Sequence, residues 1–219
     1  MKNKSPAKQP QRRARGQKRI SELLHAAGEV FAEIGYERAT TNAIAAKAGV
    51  SPGTLYQFFA NKQEIAEALA NLYTAQNEAI HVAALDVKPG TVCLAELIDR
   101  TVDPFLAFRQ NAPGYDALFI GMISSPELAL RVQTLHDGFK KRLASLMCPH
   151  FPGMSEETAL RYAEVCAHIL KGLLPLALNG NARQRKEGTE EIKAVLERYL
   201  SPILAASSPA KNPRAKGRS

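Results

Sequence analysis

Residues 48–62 read AGVSPGTLYQFFANK. The stretch sets a Pro-Gly pair between runs of helix-forming residues and then places Tyr56, Phe58 and Phe59 within four positions. Gly49 can take the left-handed conformation that ends one helix and turns the chain sharply. Val50 plugs the angle this makes. Ser51 can accept a hydrogen bond from the first turn of a new helix, and Pro52 fits that helix's first position, where a missing N–H costs no bond. The Pro-Gly pair therefore starts a helix, over about 52–58. Asn61, with Glu64 three residues on, marks the next start.

The pattern extends in both directions. Upstream, Ile20, Leu23, Leu24, Ala27, Phe31 and Ile34 repeat at helical spacing from residue 17. Gly35 falls where a C-cap wants a positive φ, and Thr40-Thr41 offers an N-cap to a short helix with Ile44, Ala45 and Ala48 on its apolar face. Downstream, Ile65, Leu69, Leu72, Tyr73 and Ile80 predict a helix over 62–80. Residues 40–59 thus read helix, glycine turn, helix, the helix-turn-helix plan. Beyond residue 85 the periodicity predicts helices over 91–110, with a kink at Pro104, and over 115–123, 126–147, 156–178 and 187–205, parted by Pro, Gly and Asn breaks. No strand and no repeat is evident. The expected fold is all-α: a disordered basic tail at 1–16, a three-helix head at 17–75, a helical domain at 76–206 and a second basic tail at 207–219.

Charge is distributed unevenly. Lys and Arg total 29 against 21 Asp and Glu, a net charge of +8. Twelve of the bases lie in 1–19 and 209–219, segments without an acid, so the body between them is mildly acidic. Residues 20–73 hold Arg38, Lys47 and Lys62 against six glutamates. The three cysteines, Cys93, Cys148 and Cys166, show no CxxC spacing, which argues against a disulfide framework or a zinc site. Cys148-Pro149-His150 could be half a metal site, but Cys166 and Cys93 fall on apolar helix faces, where Cys acts as a small hydrophobe. No metal and no cofactor is expected. The chain has no long uncharged apolar run and no signal-like apolar segment behind its basic start, so the expected location is the cytoplasm, with no membrane partner.

A recognition helix enters the major groove by its N-terminal end, where small residues let backbone approach phosphate and polar ones reach base edges. Pro52, Gly53 and Thr54 suit that position. Tyr56 can offer its hydroxyl to a phosphate, and Gln57 can read a base edge bidentately. Lys62, at the dipole-positive start of the next helix, suits a phosphate. Leu55 and Phe59 should face inward. Phe58 fits either a thymine methyl or the core. A head this acidic needs help on DNA, because phosphate neutralisation supplies most non-specific affinity. Arg12, Arg13, Arg15, Lys18 and Arg19 are the expected basic arm, reaching phosphates or the minor groove.

Gly35-Tyr36, Thr40-Thr41, Ile44-Ala45, the run from Ala48 to Phe59, Lys62 and Ile65, at these spacings, resemble the TetR family of bacterial repressors over about residues 18–70. The resemblance implies DNA contacts from Thr41, Asn42, Ser51, Pro52, Gly53, Thr54, Tyr56, Phe58 and Lys62. Family members often carry His at the position of Phe58, so one polar contact is lost here. It further implies a separate helical domain for small-ligand binding and dimerisation. The homodimer would form through a four-helix bundle of 156–178 and 187–205 from each copy. The partners implied are a palindromic double-stranded DNA operator and an unidentified small-molecule effector that releases it.

In the second domain Phe105, Phe108, Tyr115, Phe119, Met122 and His136 are candidate pocket residues, although residues of these types are more often simply core. No nucleophile elbow, phosphate-binding glycine loop or His-x-x-x-His is present, so no enzyme is expected. A ligand-independent DNA-binding protein or an activator of the same fold remains an alternative, since the sign of regulation depends on where the operator lies.

Overall fold

The computed structural model describes residues 8–88, 91–121, 130, 133, 137–145, 147 and 154–207. Among them every regular element is a helix. The helices are α1 (Lys8–Arg38), α2 (Thr41–Lys47), α3 (Pro52–Tyr56), α4 (Lys62–Ala84), α5 (Leu94–Gln110), α6 (Tyr115–Gly121), a segment at 137–145, α7 (Glu156–Leu178) and α8 (Ala182–Ser207).

The chain divides into two compact units. One joins Met1–Gln76 to Arg109–Gln133; the other joins Asn77–Phe108 to Thr134–Ser219.

In the first unit α1 begins at Lys8 rather than at 17. Pro10 lies in its first turn, where a missing N–H is harmless, and the Arg, Gln, Ala and Lys residues that follow are good helix formers. Gly35 interrupts α1 with φ 78 and ψ 159, and one further turn follows to Arg38. The Arg38 Nε–H donates back to the Ile34 carbonyl at 3.1 Å, satisfying an acceptor that the break exposes. Leu23, Ala27 and Phe31 of α1 are wholly buried, as are Ile44 and Ala45 of α2, Leu55 of α3 and Ile65 of α4. α1 packs on α2, and α2 on α3.

Residues 109–133 group with this unit, an arrangement the sequence expectation of a head at 17–75 did not include. The cause is a glycine contact between α1 and the start of α6, two helices that pack on each other. Gly114 has φ +70, and a Cβ there would run into the Gly28 carbonyl oxygen. A Cβ on Gly28 would in turn lie 2.6 Å from the Pro113 oxygen. Two side chains are missing where two backbones touch. The Tyr73 hydroxyl donates to the same Pro113 carbonyl at 2.8 Å.

In the second unit Ile98, Val102 and Leu106 of α5 meet Cys166, Leu174 and Ala177 of α7 and Ile192 and Leu196 of α8 in one apolar cluster. The helix expected at 156–178 has those bounds, capped by Ser155 accepting from Thr158 N–H at 3.2 Å. α8 starts at Ala182, five residues before the expected 187. A reciprocal cap explains it: Asn181 Oδ1 accepts from Gln184 N–H at 3.0 Å, and Gln184 Oε1 accepts from Asn181 N–H at 2.9 Å. At Gly188, which is buried, a Cβ would run into the backbone of Leu176, so α7 and α8 approach there to backbone contact. Cys166 is buried, as expected for a small hydrophobe. Cys93 is exposed instead: it sits ahead of α5, where its carbonyl accepts from Leu97 N–H. Cys148 and His150 lie outside the described residues, as do Pro89 and Gly90.

Candidate nucleic-acid interface

The helix-turn-helix is built from local caps. Thr40 accepts from Ala43 N–H at 3.1 Å and opens α2. Gly49 turns the chain with φ 65, and Val50 N–H returns to the Ala45 carbonyl at 3.0 Å. Ser51 Oγ accepts from Thr54 N–H at 3.1 Å and opens α3, with Pro52 in first position. Asn61 Oδ1 accepts from Glu64 N–H at 2.9 Å, while the Glu64 carboxylate accepts from Ala60 N–H at 2.6 Å. Each cap satisfies donors that a helix start leaves without partners.

This geometry sorts the side chains of 51–59 cleanly. Leu55 and Phe59 are buried and fix α3 on its support, while Ser51, Pro52, Gly53, Tyr56 and Gln57 are exposed. Thr54 and Phe58 are half-buried. Phe58 therefore keeps part of its ring at the surface, between the two roles open to it. Asn42 is exposed and Thr41 half-buried at the start of α2. The Tyr56 and Thr41 hydroxyls lie 2.9 Å apart, linking α3 to α2. Ser51 Oγ and Thr54 Oγ1 are likewise 3.0 Å apart.

Lys62 is more constrained than its sequence position suggests. Its Nζ donates to the Tyr36 carbonyl at 2.9 Å and the Glu37 carbonyl at 3.0 Å, and lies 4.5 Å from the centre of the Tyr36 ring. Two of its three donors hold the end of α1, which leaves one for another acceptor. Lys47 pairs with Glu33 across α2 and α1, and this ion pair pushes the Lys47 ammonium pKa upward. Of the expected arm, Arg13, Arg15, Lys18 and Arg19 all lie on α1, and Arg19 pairs with Glu22 at 2.8 Å.

The candidate pocket residues do not form one described group. Phe105 and Phe108 belong to the second unit and are half-buried, Phe105 against the α5–α7–α8 cluster. Tyr115 belongs to the first unit, with the Arg109 guanidinium 4.0 Å above its ring and the Tyr73 ring 5.8 Å away. Arg109 also pairs with Asp116 at 2.6 Å. Phe119 lies on α6 with its side chain outside the described residues, and Met122 and His136 are outside them altogether. Two buried polar residues, Asn77 and His81, were missed by the sequence reading. Their signal was present: both sit one helical turn apart on the side of α4 where the pattern otherwise calls for apolar residues.

A short helix held by its buried side, with its small and polar residues toward the surface and a glycine turn behind it, defines a helix-turn-helix DNA-binding regulator. The comparisons agree. The family model for bacterial regulatory proteins of the tetR family matches residues 23–69. The model for the tetracyclin repressor-like C-terminal domain matches 93–200, and the two together cover more than half of the chain. The chain belongs to the tetR family and is a DNA-binding transcriptional regulator, not an enzyme.

It is 28% identical over 188 residues to the HTH-type transcriptional regulator BetI of Yersinia pestis, covering 84% of this chain and 93% of that one. It is 29% identical over 134 residues to the nucleoid occlusion factor SlmA of Haemophilus ducreyi, covering 60% of this chain and 64% of that protein. A TetR-family regulator from Streptomyces coelicolor aligns over 86% of this chain and 98% of its own, with a TM-score of 0.55 and 25% identity. A Rhodococcus transcriptional regulator shares the fold with a TM-score of 0.66 at 20% identity, over 84% and 96% of the two chains. No helix among the described residues is long and apolar enough to cross a membrane.

Proposed function

We propose that this protein is a cytoplasmic homodimeric repressor that binds a palindromic operator and is released from it by a small molecule. The observation that carries the reading is the partition of α3: Leu55 and Phe59 buried, Ser51, Pro52, Gly53, Tyr56 and Gln57 exposed at one helix start. Thr41, Asn42, Thr54, Phe58 and Lys62 complete the proposed DNA surface. Gln57 would read a base edge, while the hydroxyls and Lys62 would position the backbone. The exposed basic side chains of α1 would supply the phosphate neutralisation that the acidic head lacks.

Dimerisation through α7 and α8 suits their composition. Leu176 is 49% exposed, and Ile169, Leu170 and Leu173 are only partly covered by the chain's own core. Two recognition helices related by a two-fold axis would then meet successive major grooves about 34 Å apart. An effector that favours a different spacing would release the operator, with a coupling on the order of 1–3 kcal/mol. α4 contributes residues to both units, which makes it the natural lever.

A second reading is DNA binding without an effector, for which the exposed start of α3 suffices by itself. One experiment separates the two. The purified protein is used to retain fragments of a genomic library at moderate salt, and the retained DNA is sequenced. One palindromic site, released by a small molecule in a subsequent screen, supports the repressor reading. Retention of many sites with no release by any compound supports the second. Retention of random DNA alone refutes sequence reading by α3.

A further inference from the structure

α4 carries two buried polar side chains in the second unit. Asn77 is 2% exposed and His81 8% exposed. They are one helical turn apart, so their side chains lie on the same face. The His81 ring lies 4.1 Å from that of Phe139, in the helical segment 137–145, and 6.1 Å from that of Phe105 on α5. Three rings from three helical segments therefore meet at His81, one turn along α4 from Asn77. Its Oδ1 is buried with no hydrogen-bond partner among the described residues. Buried polar atoms are nearly always paired, because desolvation without a partner is costly, so such an atom asks what donates to it. Among the described residues of the second unit, Asn77 and His81 are the polar residues buried as a whole, and neither is an acid or a permanent cation. A charged molecule would be desolvated here without a counter-charge.

We propose that Asn77, one turn along α4 from the ring cluster of His81, Phe105 and Phe139, is the polar anchor of a small-molecule site that takes a neutral aromatic compound bearing one N–H or O–H donor. The donor bonds Asn77 Oδ1 and the flat ring system packs against the aromatic cluster, since aromatic faces and edges attract a planar guest. The site rests on the reading of the second unit as the effector domain and supplies the chemistry that reading lacks. It differs from the aromatic set expected from sequence, sharing only Phe105 with it.

A matched pair of probes tests the proposal: indole, and 1-methylindole, which has the same ring system without the donor. The chain contains no Trp, so indole emission reports binding directly to the full-length protein. No DNA is present, which keeps the result independent of operator binding. Indole should bind about tenfold more tightly than 1-methylindole, the order expected for one buried hydrogen bond. In Asn77→Leu, of similar volume, the two probes should bind alike. Equal binding in the unmodified protein, binding of neither probe, or discrimination that survives in Asn77→Leu would each overturn the site. The first two outcomes need no variant, so misfolding of Asn77→Leu leaves the test intact. Discrimination by a protein that retains no genomic DNA would leave this site standing and refute the repressor reading; the converse result would do the reverse.

Discussion

The hydroxyls of Tyr56 and Thr41 meet at 2.9 Å, and through them the exposed side of α3 is tied to the first residue of α2. Tyr56 is 52% exposed, so the bond orients a side chain at the surface rather than filling a core. Tyr56→Phe should leave the melting temperature nearly unchanged, since a hydroxyl bond open to water contributes about 1 kcal/mol or less. Operator affinity should fall several-fold. Fluorescence anisotropy on operator DNA, run beside thermal melting, measures both. Parallel losses in Tyr56→Phe and Thr41→Val that do not add in the double variant would show that the pair acts as a unit.

Lys62 bridges two roles, and its removal should be visible in both. Lys62→Ala removes two hydrogen bonds to the carbonyls ending α1, for a destabilisation of about 1–2 kcal/mol in urea. It should also lower affinity on all sequences and reduce the salt slope of binding by about one. Deleting residues 1–16 should flatten the same slope further without the stability loss. An unchanged slope on deletion would remove the basic arm from the interface.

Gln57→Ala should change base preference at one position of the half-site by about 1–3 kcal/mol, leaving other positions alone. Binding to a library randomised at single positions reads this directly. Equal losses on operator and random DNA would assign Gln57 to the backbone instead.

The glycine contact between α1 and α6 predicts an asymmetric response to adding one methyl group. Gly114→Ala combines a left-handed backbone with a clash against Gly28 and should cost on the order of 3 kcal/mol. Gly16→Ala, in α1 with nothing within 4 Å of the added carbon, should instead stabilise by about 0.5–1 kcal/mol. Denaturant titration of the two variants tests the contrast within one protein.

Alkaline stability follows from two buried acids. Burial pushes the Tyr73 phenol from 10.0 up to about 12 and the Cys166 thiol from 9.0 up to about 12. The unfolded chain gives up these protons first, so their contribution is fully present below pH 9 and is lost as pH rises toward 12. Melting temperature should be flat up to pH 9 and then fall. In Cys166→Ala the fall should begin later, near the ordinary tyrosine value of 10.0.

The helix-turn-helix was legible because each boundary is marked by a residue with one local task. Thr40, Ser51 and Asn61 cap, Gly49 turns and Pro52 starts a helix, and the structure uses each accordingly. Features that depend on distant partners were not legible. The grouping of 109–133 with the head rests on Gly28 and Gly114, whose signal is the absence of side chains at two places far apart in the chain. The start of α8 was missed because residues 183–187 are charged and polar, with no apolar period; only the Asn181–Gln184 pair marks it. Cys93 looked buried because the apolar residues that follow it were counted as its face, whereas it precedes the helix. Asn77 was passed over because burial is set by what packs against α4, not by α4 itself.

The grip of Lys62 on uncharged carbonyl oxygens has a practical corollary. Counter-ions weaken attraction between separated charges, but they intervene little in a short contact between an ammonium and two adjacent peptide oxygens. The joint between α1 and α4 should therefore hold at salt concentrations that strip the protein from DNA. Ionic strength then becomes a dial that turns occupancy while leaving the reading head intact, so high salt can elute this protein from DNA ready to bind again.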